Sequence, residues 1–150
     1  MLGERCEILP DSYIWTRESG SPQIRIGNGT YIGRHFYATV IQGILIGKRC
    51  VLSDYGYITD CAHGLDPHGD FILHQPLESK GPVEIGDGCF LGFRAVILPG
   101  VTLGPHCVVG ANAVVTRSFP AYSMVAGAPA RAIKTYSTEL KQWVAADRQD

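Results

Sequence analysis

The stretch VEIGDGCFLGFRAVILPGVTLGPHCVVGANAVVT, from Val83 to Thr116, repeats a pattern every six residues. An aliphatic residue opens each block, at Ile85, Leu91, Ile97, Leu103, Val109 and Val115. A small or β-branched residue stands two places earlier, at Val83, Cys89, Ala95, Val101, Cys107 and Ala113. This period differs from the 3.6 residues of a helix and from the simple alternation of an isolated strand, so it indicates a structural repeat.

Each block supplies two side chains on one side of an extended backbone, followed by a turn rich in Gly, Asp, Asn and Pro. One short strand buries almost nothing alone, so the blocks are expected to wind into a coil whose rungs stack about 4.8 Å apart. Three blocks per turn would give a triangular prism. The vertical stacks this predicts are Ile85 under Leu103, Leu91 under Val109, Ile97 under Val115, Cys89 under Cys107 and Ala95 under Ala113.

This repeat, together with the run GANAVVTRSFPAYSMVAGAPARAIK from Gly110 to Lys134, resembles the hexapeptide-repeat acyltransferases. The resemblance implies an all-β fold, a left-handed parallel β-helix. The handedness rests on the resemblance alone, because parallel crossovers are normally right-handed. Within the family, the pattern is similar to that of bacterial O-acetyltransferases that modify sugars and polysaccharides.

The composition, with 45% hydrophobic and 18% charged residues, predicts a single domain with a substantial core. Its expected parts are an irregular N-terminal cap (1–22, with a turn at Glu18 to Pro22), first coils (23–60), a protruding loop (61–82), regular coils (83–127) and a C-terminal extension (128–150). Ser137 could N-cap a short helix through about Ala146, with Leu140, Trp143 and Val144 on one face. Such a helix would cover the open end of the solenoid.

A formal net charge of −1 argues against nucleic acid or an anionic membrane as the main partner. The N-terminus has no apolar segment of signal-peptide length and no later run could span a bilayer, which suggests the cytoplasm. The five cysteines form an odd set without a C-x-x-C pair. Cys50, Cys89 and Cys107 fall at the small inward position of their blocks, so they are interpreted as reduced core residues.

The loop between Ile58 and Val83 contains His63, which lies where the coil stops. A histidine fixed by a rigid rung and open to a cleft suits a general base, although a loop histidine without a role fits the residues equally well. The resemblance favours the first interpretation, because family members place their catalytic histidine before a loop that rejoins the coil through a run like Gly81 to Gly86. Asp60 could orient His63, or it could face solvent or a turn amide.

His68 and His74 follow in the same loop, and the spacing of His63 and His68 could bind a metal. A β-helical carbonic anhydrase of the gamma class is therefore an alternative. In that class, however, the ligands lie on regular rungs, whereas His68 and His74 lie in the loop. No metal is expected.

The segment from Pro105 to Lys141 contains Arg117, Arg131, Lys134 and Lys141 against one acid, Glu139. Such a patch fits a phosphorylated ligand or an ordinary basic edge. The resemblance implies that acetyl-CoA is the co-substrate. Its pantetheine arm would meet the backbone of Gly110, Ala111 and Thr116, and its phosphates would meet Arg131 and Lys134. Phe90 would keep an aromatic wall beside Gly92, whereas Phe93 stands where many relatives have a small polar residue.

The function implied is transfer of an acetyl group from acetyl-CoA to a sugar hydroxyl, with His63 as the base and no acyl-enzyme. A homotrimer with the active site between subunits is implied by the resemblance. A non-catalytic β-helix used as a scaffold subunit is the alternative from a different class, and it would need neither His63 nor the run from Gly127 to Lys134. The residues do not identify the acceptor.

Overall fold

The computed structural model of the protein describes residues 1–16 and 23–146. The backbone winds as a parallel coil whose strands form three sheets, here called faces 1, 2 and 3 in the order in which each turn meets them. The turn predicted at Glu18 to Pro22 lies outside the described residues. Within the ranges described, no helix is long and apolar enough to cross a membrane.

Face 1 consists of four parallel strands: β3 (Gln23–Ile26), β6 (Gly43–Ile46), β11 (Val83–Ile85) and β14 (Thr102–Leu103). Face 2 consists of eight strands: β1 (Glu7–Ile8), β4 (Tyr31–Ile32), β7 (Val51–Leu52), β12 (Phe90–Leu91), β15 (Val108–Val109), β17 (Ser123–Gly127), β18 (Ala130–Ser137) and β19 (Gln142–Ala145). Face 3 consists of five parallel strands: β2 (Tyr13–Thr16), β5 (Tyr37–Val40), β8 (Tyr57–Thr59), β13 (Val96–Ile97) and β16 (Val114–Val115). A hairpin of β9 (Ala62–His63) and β10 (Leu77–Glu78) projects from the coil, with a 3₁₀ turn (Ile72–His74) between its strands.

The strand registers confirm the predicted stacking of the large inward side chains. Ile85 pairs with Leu103 on face 1, Leu91 with Val109 on face 2, and Ile97 with Val115 on face 3. All six are buried in one continuous core that also contains Ala95 and Ala113. Each block of six residues therefore supplies one strand of one face, and every third block along the chain stacks on the same face.

The N-terminal segment, expected to be an irregular cap, instead forms a first coil. Leu2 bridges Ile26, Ile8 pairs with Ile32, and Ile14 pairs with Ala38. Leu2, Ile8 and Ile14 do keep the six-residue spacing. The period is interrupted at Gly20 and resumes in phase at Ile26, and this gap hides it in the sequence. These three side chains stay exposed, since no rung lies beneath them.

The predicted C-terminal helix is wrong, because residues 130–145 form the antiparallel strands β18 and β19 that extend face 2. Ser137 Oγ does accept the backbone N–H of Leu140 (3.1 Å), as an N-cap would, but the turn that it closes joins two strands. The edge of β17 offers unpaired backbone groups, and a strand satisfies them where a helix could not. Trp143 contacts Tyr136 edge to face (centroids 5.5 Å) and Leu140 is exposed.

One corner of the prism, between faces 1 and 2, contains a column of hydrogen-bond donors. The donors are Cys6 to Gly27 O (3.1 Å), Thr30 to Gly47 O (2.8 Å), Cys50 to Gly86 O (3.2 Å), Cys89 to Gly104 O (3.3 Å) and Cys107 to Pro120 O (3.1 Å). All five cysteines are free thiols. The cysteines of this column thus satisfy inward-facing turn carbonyls besides filling space.

This column predicts an unusual order of stability for variants of Cys89. Cys89→Ala should lower the free energy of unfolding by about 1–3 kcal/mol, because the buried carbonyl of Gly104 loses its donor. Cys89→Ser should lower it by roughly 1 kcal/mol less, since Thr30 shows that a hydroxyl serves the same position. Denaturant titration of the three proteins measures this order. A serine variant no more stable than the alanine variant would show that these thiols act as apolar filler.

Candidate active site

His63 lies at the base of the projecting hairpin, where β9 leaves the corner between faces 3 and 1. His63 pairs with Leu77, and Ala62 pairs with Glu78, so the two strands form a short stem. Gly64 N donates to Pro76 O (2.9 Å), which extends the stem by one further hydrogen bond. The imidazole is half-buried. The histidine is thus held on ordered backbone at the end of a rung.

The imidazole Nδ1 of His63 lies 3.4 Å from the backbone carbonyl oxygen of Gln75. A carbonyl can only accept, so this contact is a hydrogen bond only when Nδ1 carries the proton. The neutral ring then has its lone pair on Nε2. This arrangement leaves Nε2 free to take a proton from a bound group.

Gln75 organises the loop around the histidine, and the sequence analysis did not single it out. Its side-chain Oε1 accepts from Asp66 N (3.0 Å), and its Nε2 donates to Asp66 O (2.9 Å) and Asp70 O (2.8 Å). The side chain is buried. The only sequence signal was the Gln75-Pro76 pair where the chain turns back. The loop is therefore an ordered arm built around one amide.

The hydrogen-bond partners of Asp60 are backbone amides, and not the imidazole of His63 that it could have oriented. The carboxylate is fully buried and accepts the backbone N–H groups of Ile41 (2.9 Å), Gln42 (2.8 Å) and Gly43 (2.7 Å). Ile41 and Gln42 form the turn between β5 and β6, and Gly43 begins β6. Of the alternatives that the sequence left open, the contact with turn amides is the one observed. Asp60 closes the turn beside the stem and makes no hydrogen bond to His63.

Cys61 lies between Asp60 and the stem, close enough to His63 along the chain to raise the question of a nucleophile. Its side chain is buried, and burial raises the pKa of the thiol. The reactive form of cysteine is the thiolate. A buried, protonated thiol in this position is a packing residue.

The two other loop histidines lie apart from this arrangement. His68 is exposed, and His74 Nδ1 lies 3.4 Å from the carboxylate of Asp70 on the surface. Among residues 1–16 and 23–146, no three side chains of the His, Cys, Asp or Glu type gather as a metal site would require.

The outward side of face 2 carries the aromatic residue and both cations assigned to the cofactor. Phe90 pairs with Val108, Val108 with Met124, and Met124 with Lys134, in one column. Arg131 pairs with Ala126 on the neighbouring strand position. Arg131 and Lys134 are three residues apart, and on a regular strand they would face opposite sides. A bulge in the pairing of β17 with β18 places both of them on the outward side. Both cations are exposed there.

The glycines assigned to the cofactor lie at the corner between faces 2 and 3. Gly92 follows β12, and Gly110 and Ala111 follow β15 one rung higher. A Cβ on Gly92 would lie 2.8 Å from the backbone nitrogen of Ala111, so only glycine fits between these rungs. This edge is smooth over two rungs. It suits an extended ligand that contacts backbone groups.

Thr116 and His63 share a different corner, between faces 3 and 1. Thr116 follows β16, and the hairpin leaves the same corner after β8. A large opening lies beside the loop and is lined by Leu65, Asp66, Phe71 and Ile72 among others. Its lining does not include His63 or any residue assigned to the cofactor. The residues predicted for the site therefore lie in two groups, here called half-sites, separated by the width of face 3. One holds His63 and Thr116, and the other holds Phe90, Gly92, Gly110, Ala111, Arg131 and Lys134.

Comparison with known proteins follows the same division of the chain. A family model described as the hexapeptide repeat of succinyl-transferase matches residues 23–53 and 82–117, on either side of the loop. An Escherichia coli protein named as a lipopolysaccharide biosynthesis O-acetyl transferase is 33% identical over 131 residues, which is 83% of this chain and 66% of that protein. The galactoside O-acetyltransferase of Escherichia coli is 30% identical over 129 residues, 78% of this chain and 59% of the relative. The chain thus spans less than two thirds of the length of either relative.

Solved structures agree with this similarity. A hexapeptide-repeat acetyltransferase of Vibrio cholerae, complexed with acetyl-CoA, superimposes with a TM-score of 0.78 at 28% identity, covering 89% of this chain and 69% of the other. A galactoside acetyltransferase in complex with coenzyme A gives a TM-score of 0.80 at 26% identity, covering 99% of this chain and 71% of the other. Since the repeat, the coil and these relatives agree, the chain belongs to the hexapeptide-repeat family of acyltransferases, whose left-handed parallel β-helix is the fold predicted from the sequence.

Proposed function

We propose that this protein transfers the acetyl group of acetyl-CoA to a sugar hydroxyl, with His63 as the general base. The observation that carries the proposal is the anchoring of His63 Nδ1 by the Gln75 carbonyl at the base of an ordered stem. Relatives named for O-acetyl transfer to sugars or in lipopolysaccharide biosynthesis support the substrate class. Structural neighbours solved with acetyl-CoA or coenzyme A support the donor.

The reaction needs two proton transfers, one to His63 and one from it. His63 Nε2 takes the proton of the acceptor hydroxyl as that oxygen attacks the thioester carbonyl carbon. The tetrahedral intermediate then collapses, the carbon–sulfur bond breaks, and the leaving thiolate of CoA receives the proton from the imidazolium. Phe93 has no side-chain donor, so stabilisation of the oxyanion is assigned to backbone N–H groups of the corner between faces 2 and 3. Positioning of the two substrates supplies much of the remaining rate.

Assembly into a homotrimer would complete the site. Each chain carries one of each half-site on different corners, so a second copy must bring its His63 beside the Phe90 face of the first. Such a head-to-tail contact closes into a ring when the rotation allows it, and a three-sided prism suits a three-fold ring. Exposed apolar side chains on both half-sites support the contact: Phe71 (79% exposed) and Leu73 (75%) on the arm, Phe90 (43%) on the coil.

The compartment proposed is the cytoplasm. The five free thiols fit a reducing environment, where disulfides are rare. The donor, acetyl-CoA, is supplied inside the cell.

Acetyl-CoA should stabilise the protein, and the stabilisation should depend on Arg131 and Lys134. At a ligand concentration one hundred times the dissociation constant, the expected gain is about 2.7 kcal/mol, seen as a rise in Tm. Arg131→Gln combined with Lys134→Gln should weaken binding roughly tenfold or more, because each charge-assisted contact to a phosphate is lost. Titration of acetyl-CoA in a thermal-shift experiment measures both effects.

Lys48→Gln is the matched control, because Lys48 is an exposed cation at the corner between faces 1 and 2. It should leave the affinity for acetyl-CoA unchanged. A scaffold subunit would show no shift with acetyl-CoA at any concentration. Equal affinity in the double variant and the parent would remove Arg131 and Lys134 from the cofactor site.

A further inference from the structure

The corner between faces 2 and 3 continues below the cofactor glycines as an unbroken column of rungs. Asn112 N donates to Phe93 O (2.8 Å), Arg94 N to Asp54 O (3.1 Å), and Tyr55 N to Arg34 O (2.8 Å). Successive rungs lie about 4.8 Å apart. The upper rung carries the small residues Gly110 and Ala111, the next rung carries Gly92 followed by Phe93 and Arg94, and the rung below it carries Tyr55. The character of the edge therefore changes close to Phe93.

Arg94 is held over two aromatic rings at this change. Its guanidinium carbon lies 5.1 Å from the ring centroid of Phe93 and 5.6 Å from that of Tyr55. The two rings meet edge to face at 5.6 Å, and Tyr55 also stacks on His35 at 4.7 Å. Cation–π contact holds a guanidinium beside the rings without using its N–H groups as hydrogen-bond donors.

The guanidinium of Arg94 has no carboxylate partner in the part of the chain that the structure describes. The acid on the neighbouring rung, Asp54, accepts the backbone N–H of Arg34 through Oδ1 (2.9 Å) and forms no ion pair with Arg94 among the described residues. Tyr55 (46% exposed) and Phe93 (41%) remain open to solvent beside the cation. Within the described residues, the corner thus presents a guanidinium without a carboxylate partner next to exposed ring surface.

We propose that this cluster, Tyr55, Phe93 and Arg94, binds the acceptor, and that the acceptor is an acidic sugar. A guanidinium recognises a carboxylate or phosphate through two parallel hydrogen bonds, and exposed aromatic rings contact the apolar C–H surface of a pyranose. The inference rests on the proposed function, because the cluster lies just below the end of the track assigned to the pantetheine arm. Phe93, which is 41% exposed, provides part of this surface.

The test compares acidic with neutral acceptors in the assembled protein. The probes are p-nitrophenyl β-D-glucuronide for the carboxylate, glucose 1-phosphate for the phosphate, and p-nitrophenyl β-D-glucoside as the neutral sugar, each with saturating acetyl-CoA. Arg94→Gln should raise the KM of the preferred acid by about ten- to a hundredfold, the usual effect of losing a hydrogen bond to a charged group. Its effect on the neutral glucoside and on the KM of acetyl-CoA should be less than about twofold.

Arg49→Gln is the matched control. Arg49 occupies the equivalent left-handed position (φ 54° against 57° for Arg94) at the corner between faces 1 and 2. This variant should leave the KM of every acceptor unchanged. The two acids separate the sources of the anion, since a site for a uronic acid should prefer the glucuronide and a site for a sugar phosphate should prefer glucose 1-phosphate.

A calorimetric titration of the two acids onto the CoA-bound protein gives a readout that does not need turnover. Binding that is absent, or that survives Arg94→Gln unchanged, overturns the inference, as does a parent enzyme that uses the neutral glucoside as well as both acids. Binding that depends on Arg94 without turnover of any acceptor supports the acidic site. That result would contradict the proposed acetyl transfer but not the inferred acidic site.

Discussion

Replacement of His63 by alanine is expected to lower kcat by about two to four orders of magnitude at saturating acetyl-CoA, the usual contribution of a general base. The fold should persist, because His63 takes part in the hairpin through its backbone pairing with Leu77. Affinity for acetyl-CoA should also persist, since the cofactor residues lie on face 2. Steady-state kinetics with an accepted sugar, together with the acetyl-CoA thermal shift, measure both quantities.

His74→Ala is the matched control for this loss. His74 lies in the same loop, is exposed, and contacts the carboxylate of Asp70 and the ring of Phe71 within that loop. Its removal should change kcat by less than about twofold. Near-normal turnover in His63→Ala would remove the general base from the mechanism. An equal loss in both variants would indicate that the loop as a whole, and not one imidazole, supports turnover.

The regular coils could be predicted because one local pattern determines them. Each block must place one large side chain, such as Leu91 or Leu103, against the block above, so the period in the sequence equals the register in space. The same logic located the loop, since the pattern stops between Ile58 and Val83. A repeat carries its own long-range contacts in its spacing.

The two ends of the coil could not be predicted in this way. Leu2, Ile8 and Ile14 keep the period, but Gly20 interrupts it before it resumes at Ile26. At the other end, the spacing of Leu140, Trp143 and Val144 is that of a helix, because neighbouring residues of a strand face opposite sides. The free edge of β17 decided the outcome, and an edge is a property of the assembled sheet.

The candidate site could likewise be predicted only in part. His63 could be located because it stands where the repeat stops. The amide of Gln75 could not be predicted, because its partners Asp66 and Asp70 are set by the path of the loop. Separation of the two half-sites onto different corners follows only from the order of the faces. Arg94 was missed because its rings, Tyr55 and Phe93, come together through stacking of distant rungs.

Asp60→Asn is expected to lower the free energy of unfolding by about 2–4 kcal/mol, through loss of charge-assisted hydrogen bonds to buried backbone. One carboxylate oxygen of Asp60 accepts from both Gln42 and Gly43, and the other accepts from Ile41. Asparagine offers only one acceptor oxygen. If that oxygen serves Gln42 and Gly43, the side-chain NH₂ faces the N–H of Ile41, donor against donor.

Denaturant titration at a fixed protein concentration measures this loss, with Asp87→Asn as the matched control. Asp87 is exposed and accepts one backbone N–H, that of Lys48 (2.7 Å), so its replacement should cost less than about 1 kcal/mol. The Asp60 variant should keep most of its kcat per folded molecule, because its carboxylate closes a turn and does not contact His63. The opposite result, normal stability with a large fall in kcat, would return Asp60 to the role of orienting the imidazole. The two measurements together therefore decide whether this buried acid serves the coil or the reaction.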